Sequence, residues 1–432
     1  MSQVVVEEDV VIVGGGIAGL ATALGLARVG IRSIVLEKSN ELRTTGSSLS
    51  LAGNAWTALE ALGVAHKLAP LYPPLGKGTV TDVTTGATRE ISLSTTTKNG
   101  VMKAGVRAVH RKVLLEALAE ELPADTIRYG SKLASIDTKT TPDGSTTVLI
   151  HLQDGTTITT KVLIGCDGVH SMVAKWLGLS DPVESGRWAV RGLSTFSTGH
   201  GMAYSVEQFL NPVTRAGMAA ISDQEVYWFF TSKYSTTGRE EKFKTDPAEI
   251  QRAILDHFAK DFPAQYKKVV ERSDPASLSW APLLFRYPHH VLLNNLTKHN
   301  ITVAGDAMHP MTPDLGQGGC AALEDAVVLS RHIGLSYIKN GRRIESKDVA
   351  GALMEYAKER RWRAAGLILG SYLSGWVQGS GSNWLMKLLR TVFYMFVFKW
   401  IFSLVNYDCG KLPTTATANT TSSEDAGRTK KD

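Results

Sequence analysis

Two glycine-rich runs, one near the start of the chain and one past residue 300, carry the residue types that could do chemistry. The first is Gly14-Gly15-Gly16-Ile17-Ala18-Gly19. It follows the apolar run Asp9-Val10-Val11-Ile12-Val13 and opens a second apolar run from Leu20 to Val29. A strand, a tight turn and a helix in that order make a nest for a dinucleotide pyrophosphate. Gly14 permits the turn, Gly16 lets backbone approach the anion, and Gly19 lets the helix lie against the strand. The free N–H groups at the helix start, around Ile17 and Ala18, offer partial positive charge to that anion. A second strand, Ser33 to Leu36, ends on Glu37 with Lys38 beside it. A carboxylate there can accept hydrogen bonds from an adenosine ribose. A glycine-rich turn without a ligand is the alternative, but strand, helix and acid together favour a bound ADP moiety.

The second run is Gly305-Asp306-Ala307-Met308-His309-Pro310, continued by Pro313 and Gly316-Gln317-Gly318-Gly319. Asp306 ends a short buried strand, Ile301 to Ala304. Its carboxylate can accept hydrogen bonds from the ribityl hydroxyls of FAD. Pro310 and Pro313 stiffen the loop. Gly316, Gly318 and Gly319 let backbone lie close to a flat ring, and their N–H groups begin a helix. A helix start aimed at N1 and the C2 carbonyl of a reduced flavin stabilises the negative charge there. A proline-glycine loop made only for turning is the alternative.

These residues need elements to position them. The chain has 432 residues, 43% of them hydrophobic, enough for two or more units with a sizeable core. The net charge of +6 is modest and scattered, which argues against a nucleic-acid partner. Cys166, Cys320 and Cys409 have no metal-ligand spacing and read as buried apolar residues, so no metal is expected. With no secretory signal before the first strand, a reducing, cytoplasmic setting is expected. The fold class is α/β: a discontinuous Rossmann-like nucleotide domain (1–78, 101–176 and 289–345), a mixed β-sheet substrate domain (79–100 and 177–288), a C-terminal helical region (346–412) and a disordered tail (413–432). The pattern predicts helices over 54–62, 107–122, 318–333 and 349–369, a hairpin over 79–93, and a meander over 133–160 followed by a separate strand, 162–165. Trp384 to Val405 is very apolar but interrupted by Lys387, Arg390 and Lys399. That favours a packed helical region with some peripheral membrane contact over a spanning helix.

A third motif, Gly165-Cys166-Asp167-Gly168-Val169-His170-Ser171, lies between the other two. With Glu324-Asp325-Ala326 and Tyr407-Asp408-Cys409-Gly410, the set resembles the class A, single-component FAD-dependent monooxygenases. It is most similar to the plant salicylate-hydroxylase-like and zeaxanthin-epoxidase-like group, over roughly residues 10–412. The resemblance implies that Asp167 serves FAD and the pyridine nucleotide indirectly, with a plain helix cap as the alternative. The family often has Arg where Ala174 stands, which puts the details of nicotinamide handling in doubt. The resemblance places Arg111 near FAD phosphate or ribose, sets the backbone of Ser48 against the cofactor, and puts Arg191, in Trp188-Ala189-Val190-Arg191-Gly192, near substrate and flavin. A surface arginine at 111 and an interdomain ion pair at 191 are the alternatives. His170 and His309 read as structural, and Tyr227, Trp228 and Phe229 as a strand with one face toward a pocket or a core.

The reaction so implied consumes NADPH (or NADH) and O2 through a flavin C4a-hydroperoxide, and hydroxylates or epoxidises a small aromatic, phenolic or other specialised-metabolite substrate. A peroxide-producing NAD(P)H oxidase and a low-turnover, membrane-docked flavin protein are the other readings. The pattern names no individual substrate and sets no oligomeric state.

Overall fold

The computed structural model describes residues 5–42, 48–93, 105–142, 144–235, 245–378 and 406–414. Short runs of Val, Ile and Leu build a central sheet whose strands are buried on both faces, as parallel sheets require. Its order is Thr297–Lys298, Ile301–Val303, Thr157–Gly165, Val5–Val13, Ile34–Leu36 and Ile127–Arg128. All neighbours run parallel except the outermost pair at 297–303. Val13 is level with Leu36 on one side and with Gly165 on the other, and Gly165 is level with Val303. Four distant segments therefore leave the sheet at one carboxyl edge. Open α/β sheets bind ligands at such an edge.

Two helices cover one face of this sheet, Ile17–Arg28 and Gly318–Lys339. They approach closely because Gly25 has no side chain. A Cβ there would lie 2.4 Å from Ser330 Oγ, and that hydroxyl donates to the Thr22 carbonyl at 3.3 Å. Leu133–Thr140 and Thr146–Leu152 add an antiparallel hairpin beside Thr157–Gly165. That last strand is one nine-residue element, not the two pieces expected from its sequence.

The second sheet has seven strands in the order Ser279–Phe285, Val183–Thr195, Glu225–Lys233, Thr214–Ala220, Ser205–Leu210, Lys77–Asp82 and Thr88–Ser92. Alternation along its strands separates two faces. Trp188, Val190, Met218, Trp228 and Phe230 form a core with Phe262 and Tyr266 under the helices Pro247–Ala253 and Ala264–Glu271. The other face carries Arg187, Arg191, Arg215, Tyr227 and Phe229.

The helix expected over 107–122 is corrected. Arg107–His110 is a strand paired antiparallel with Ser48–Leu51, and the helix is confined to Arg111–Ala119. Pairing buries Ala108 and Val109 in the sheet, which overrides the helical periodicity. The C-terminal helix is longer than its apolar repeat suggested, Ser346–Gln378. Residues 406–414 cross back over it, with Tyr407 Oη donating to Glu359 Oε1 at 3.0 Å and the Arg363 guanidinium 4.2 Å from the Tyr407 ring centre. Among the described residues no helix is long and apolar enough to cross a membrane. The stretch 384–405 assigned a membrane contact and nearly all of the tail lie outside the described residues.

Candidate functional site

The turn after the first strand is fixed by glycine stereochemistry. Gly14 has φ +107°, and a Cβ on it would sit 2.3 Å from the Cys166 carbonyl oxygen. A Cβ on Gly19 would sit 1.9 Å from the Gly14 carbonyl oxygen. Gly16 differs: a Cβ there would meet nothing within 4 Å. No side chain caps the helix that follows, and its first turn holds no acid. Uncommitted N–H donors therefore start over open space, which suits a pyrophosphate. Glu37 is buried beside this turn. Its Oε2 accepts from Gly15 N at 2.7 Å and its Oε1 from Ser39 N at 2.8 Å. Two backbone donors hold the carboxylate in place and leave lone pairs for a hydroxyl partner. Lys38 is exposed next to it.

The second glycine run meets the first directly. A Cβ on Gly305, which has φ +61°, would lie 2.8 Å from Ala18 Cβ; one on Gly319 would lie 3.7 Å from Ile17 Cδ1. Gly316 turns the chain in the left-handed region, with φ +63°. The helix from Gly318 again has no side-chain cap and no acid in its first turn, and Asp306 Oδ1 lies 3.9 Å from where a Gly318 Cβ would be. Asp306 is accessible to solvent, yet burial raises its carboxyl above the ordinary range, opposed by the charges of His309, Arg111 and Arg191.

Those charges come from both halves of the molecule. Arg111 begins the helix that follows His110, and His110 lies opposite Ser48, whose Oγ donates to the Val109 carbonyl at 3.2 Å. Arg191 comes from the second sheet and lies near Tyr227, whose hydroxyl burial pushes up and the Arg191 charge holds back. Tyr227 and Phe229 share the face of Arg191, whereas Trp228 points into the opposite core. Asp167 caps the short helix Met172–Trp176: its carboxylate accepts from Met172 N at 2.7 Å and from the Ser171 hydroxyl. The contacts it makes are thus those of the capping alternative.

Several supporting residues act through contacts that the sequence did not reveal, although Glu324 and Asp325 appear there in the motif Glu324-Asp325-Ala326. Arg286 is buried and donates to the carbonyls of Ala307 at 2.8 Å, Met308 at 2.6 Å and Ser180 at 3.0 Å, so it holds the loop after Asp306; burial lowers its pKa to about 10. Asp325 accepts from Gly305 N at 2.8 Å, pairs with His309 Nε2 at 2.6 Å and takes Arg360 Nε at 2.6 Å. Burial would raise its pKa, but His309 and Arg360 hold it at about 2. Glu324 takes two 2.5 Å bonds from Arg363. His309 is therefore a brace for the Asp306 loop, while His170 is exposed. Asp314, in the same loop, is gripped by Arg187 at 3.0 and 2.6 Å and by Arg215 at 3.1 Å, both from the second sheet. The three thiols are free and buried.

Bare glycine turns, two uncapped helix starts and the carboxylates of Glu37 and Asp306 at one sheet edge are a donor and acceptor set that fits FAD. Fold and site define a flavin-dependent oxidoreductase with a second, separate sheet. The profile described as "FAD binding domain" matches residues 7–368, and the chain belongs to that family of FAD-dependent monooxygenases. It is 39% identical to "Monooxygenase 2" of Arabidopsis thaliana over 94% of this chain and 98% of that one. It is 29% identical to "FAD-dependent urate hydroxylase" of Mycolicibacterium vanbaalenii over 83% and 86%. The crystal structure of Klebsiella pneumoniae HpxO complexed with FAD and uric acid superposes with a TM-score of 0.72 at 23% identity, covering 93% of each chain.

Proposed function

We propose that this chain takes reducing equivalents from NADPH or NADH and inserts one atom of O2 into a small aromatic or phenolic molecule bound between the two sheets. The observation that carries the proposal is the meeting of the two glycine runs, Gly305 against Ala18 and Gly319 against Ile17, beside an Asp306 carboxyl that feels the charges of Arg111 from the nucleotide half and Arg191 from the second sheet. Glu37, the turn from Gly14 to Gly19 and Asp306 would hold the cofactor along the sheet edge, and the face of Arg191 and Tyr227 would be free for a substrate beside it. FAD, when bound, supplies the redox and oxygen chemistry. The chain supplies binding and electrostatics. The turn from Gly14 to Gly19 receives the pyrophosphate, Glu37 the adenosine ribose, Arg111 a phosphate or ribose, and Asp306 the ribityl chain. The helix start at Gly318 and Gly319 stabilises charge on the reduced ring. Arg191, beside Tyr227, stabilises a substrate phenolate or orients an acid. There is no second glycine fingerprint for the pyridine nucleotide, in keeping with transient binding at the interface of the halves. Support for an aromatic substrate comes from relatives named for urate.

The test is a panel of phenolic and heteroaromatic acids under 18O2, with NADPH or NADH. The expected result is 18O in product in proportion to nicotinamide oxidised. Hydrogen peroxide equal to the nicotinamide consumed, with no labelled product on any substrate, would convert the assignment to an oxidase.

A further inference from the structure

Two short motifs far apart in the sequence, Glu324-Asp325-Ala326 and Tyr407-Asp408-Cys409-Gly410, are joined in the structure by two arginines. Residues 406–414 lie against the helices Gly318–Lys339 and Ser346–Gln378. Gly334 makes room for them: a Cβ there would lie 3.0 Å from Pro413 Cγ. Tyr407 is anchored by its hydroxyl, which donates to Glu359 Oε1 at 3.0 Å. The same carboxylate accepts from Arg331 at 2.6 Å and pairs with His332 Nε2 at 2.8 Å. Fixed at that end, the ring lies over two guanidinium groups, with its centre 4.2 Å from Arg363 and 5.3 Å from Arg360. Both arginines are buried. An aromatic face attracts a guanidinium, and more strongly where water is excluded. Burial pushes the Tyr407 hydroxyl up to about 12 against the opposing charge of Arg360, so the ring meets both cations as a neutral phenol.

From these cations two routes lead to the loop that carries Asp306. Arg363 donates to the two Glu324 oxygens, each at 2.5 Å. Glu324 Oε1 also accepts from Asn54 Nδ2 at 2.5 Å, and the same Nδ2 donates to Gln317 Oε1 at 2.9 Å. Gln317 stands immediately before the helix start at Gly318. By the second route Arg360 donates to Asp325 Oδ1 at 2.6 Å, and Asp325 Oδ2 accepts from Gly305 N at 2.8 Å, one residue before Asp306. Glu324, Asp325 and Arg360 are fully buried, and Asn54 and Gln317 nearly so. Buried polar groups that satisfy one another in this way hold a single geometry. We propose that Tyr407 is a positioning residue for the flavin: its ring fixes Arg363 and Arg360, and through them the helix start at Gly318 and the turn at Gly305. The inference rests on the reading that Asp306 and that helix start face the flavin. A helix start aimed at the ring favours its reduced, negatively charged form, so misplacing it weakens reduced FAD more than oxidised FAD.

The experiment measures FAD dissociation from the full chain and, by equilibration of the holoenzyme with a reference dye, the balance between oxidised and reduced flavin. Tyr407→Phe keeps the ring and is expected to stay within about twofold of wild type in both. Tyr407→Met and Tyr407→Leu remove it and are expected to weaken reduced FAD about tenfold more than oxidised FAD. Asn54→Ala cuts the route to Gln317 away from Tyr407 and is expected to shift the balance in the same direction. Combined with Tyr407→Met it should shift less than the sum of the two. Should neither ring-less variant fold, Asn54→Ala decides by the same criterion. Asp306→Ala tests the underlying reading: if it leaves FAD affinity unchanged, the loop does not face the flavin, and reading and inference fall together. If Asp306→Ala weakens FAD while the ring-less variants keep the wild-type balance, the inference alone is overturned. It is also overturned if those variants weaken both flavin forms alike as their thermal midpoint falls, which is the mark of a merely structural residue.

Discussion

The bridge between Asp314 and the two arginines of the second sheet lends itself to a quantitative test. Asp314 is 3% exposed at its side chain, and Arg187 and Arg215 are 13% exposed. Asp314→Ala leaves two guanidinium groups in a nearly dry interface without the anion that neutralises them. Removing one partner of a buried ion pair costs about 3–5 kcal/mol. Burial alone would raise the Asp314 pKa, but the hydrogen bonds and charges of Arg187 and Arg215 hold it below the ordinary range. A carboxyl depressed in the folded state contributes its stability above the unfolded pKa of about 3.9 and loses it as pH falls through the folded value. The gap between wild type and variant is therefore expected to be constant from pH 7 to pH 5 and to narrow below about pH 4. Urea unfolding followed by tryptophan fluorescence, with and without FAD, measures it across that range. Arg187→Met alone, and combined with Asp314→Ala, completes a cycle in which the double variant should lose less than the sum. A loss at pH 7 under about 1 kcal/mol, or one of equal size at pH 3.5, would refute a dry bridge between the halves.

Other expectations are simpler. Gly16→Val should cost the apoprotein no more than about 1 kcal/mol, because its side chain enters open space, yet weaken FAD binding on the order of a hundredfold; equilibrium dialysis against FAD and a thermal melt separate the two. Arg191→Met should keep FAD affinity within about threefold and lower substrate-dependent turnover by about a hundredfold, read from flavin titration beside steady-state kinetics; a greater loss of FAD than of turnover would move Arg191 to the cofactor. Burial raises the Cys166 thiol well above its usual pKa and pushes Cys320 and Cys409 up to about 12. Ellman's reagent at pH 8 should find no reactive thiol in the native protein and all three after denaturation.

Much of the nucleotide half was legible because its parts are local. Strand, turn and helix from Val10 to Val29 are contiguous, and the acid that ends the next strand follows at short range. The glycine run after Asp306 was readable for the same reason. The bracing residues were not, because each acts across long separations: Arg286 on Ala307, Asp314 on Arg187, Glu324 on Arg363. Glu324 and Asp325 had a trace only as part of the Glu324-Asp325-Ala326 motif that the resemblance rests on. Residues 107–110 read as helix because the 3.6-residue repeat of the following helix extends back through them. Their pairing with Ser48–Leu51 depends on a partner some sixty positions earlier that local patterning does not reveal. The alternation of Tyr227, Trp228 and Phe229 implied two faces, but that Trp228 takes the core needed the packing of the sheet.

The sheet order also governs how the molecule is made. Ile301–Val303 pairs with Thr157–Gly165, and the strands of the second sheet from Val183 to Phe285 lie between them in the chain. A nascent chain of about 300 residues has therefore produced most of the second sheet while the carboxyl end of that strand, Leu163 to Gly165, still presents a bare edge beyond the hairpin that covers Thr157 to Thr160. Unpaired edges of hydrophobic strands invite pairing with other chains. Synthesis of the segment that carries Asp306 seals that edge and completes the cofactor cleft in one event, so protection from aggregation and competence for flavin arrive together.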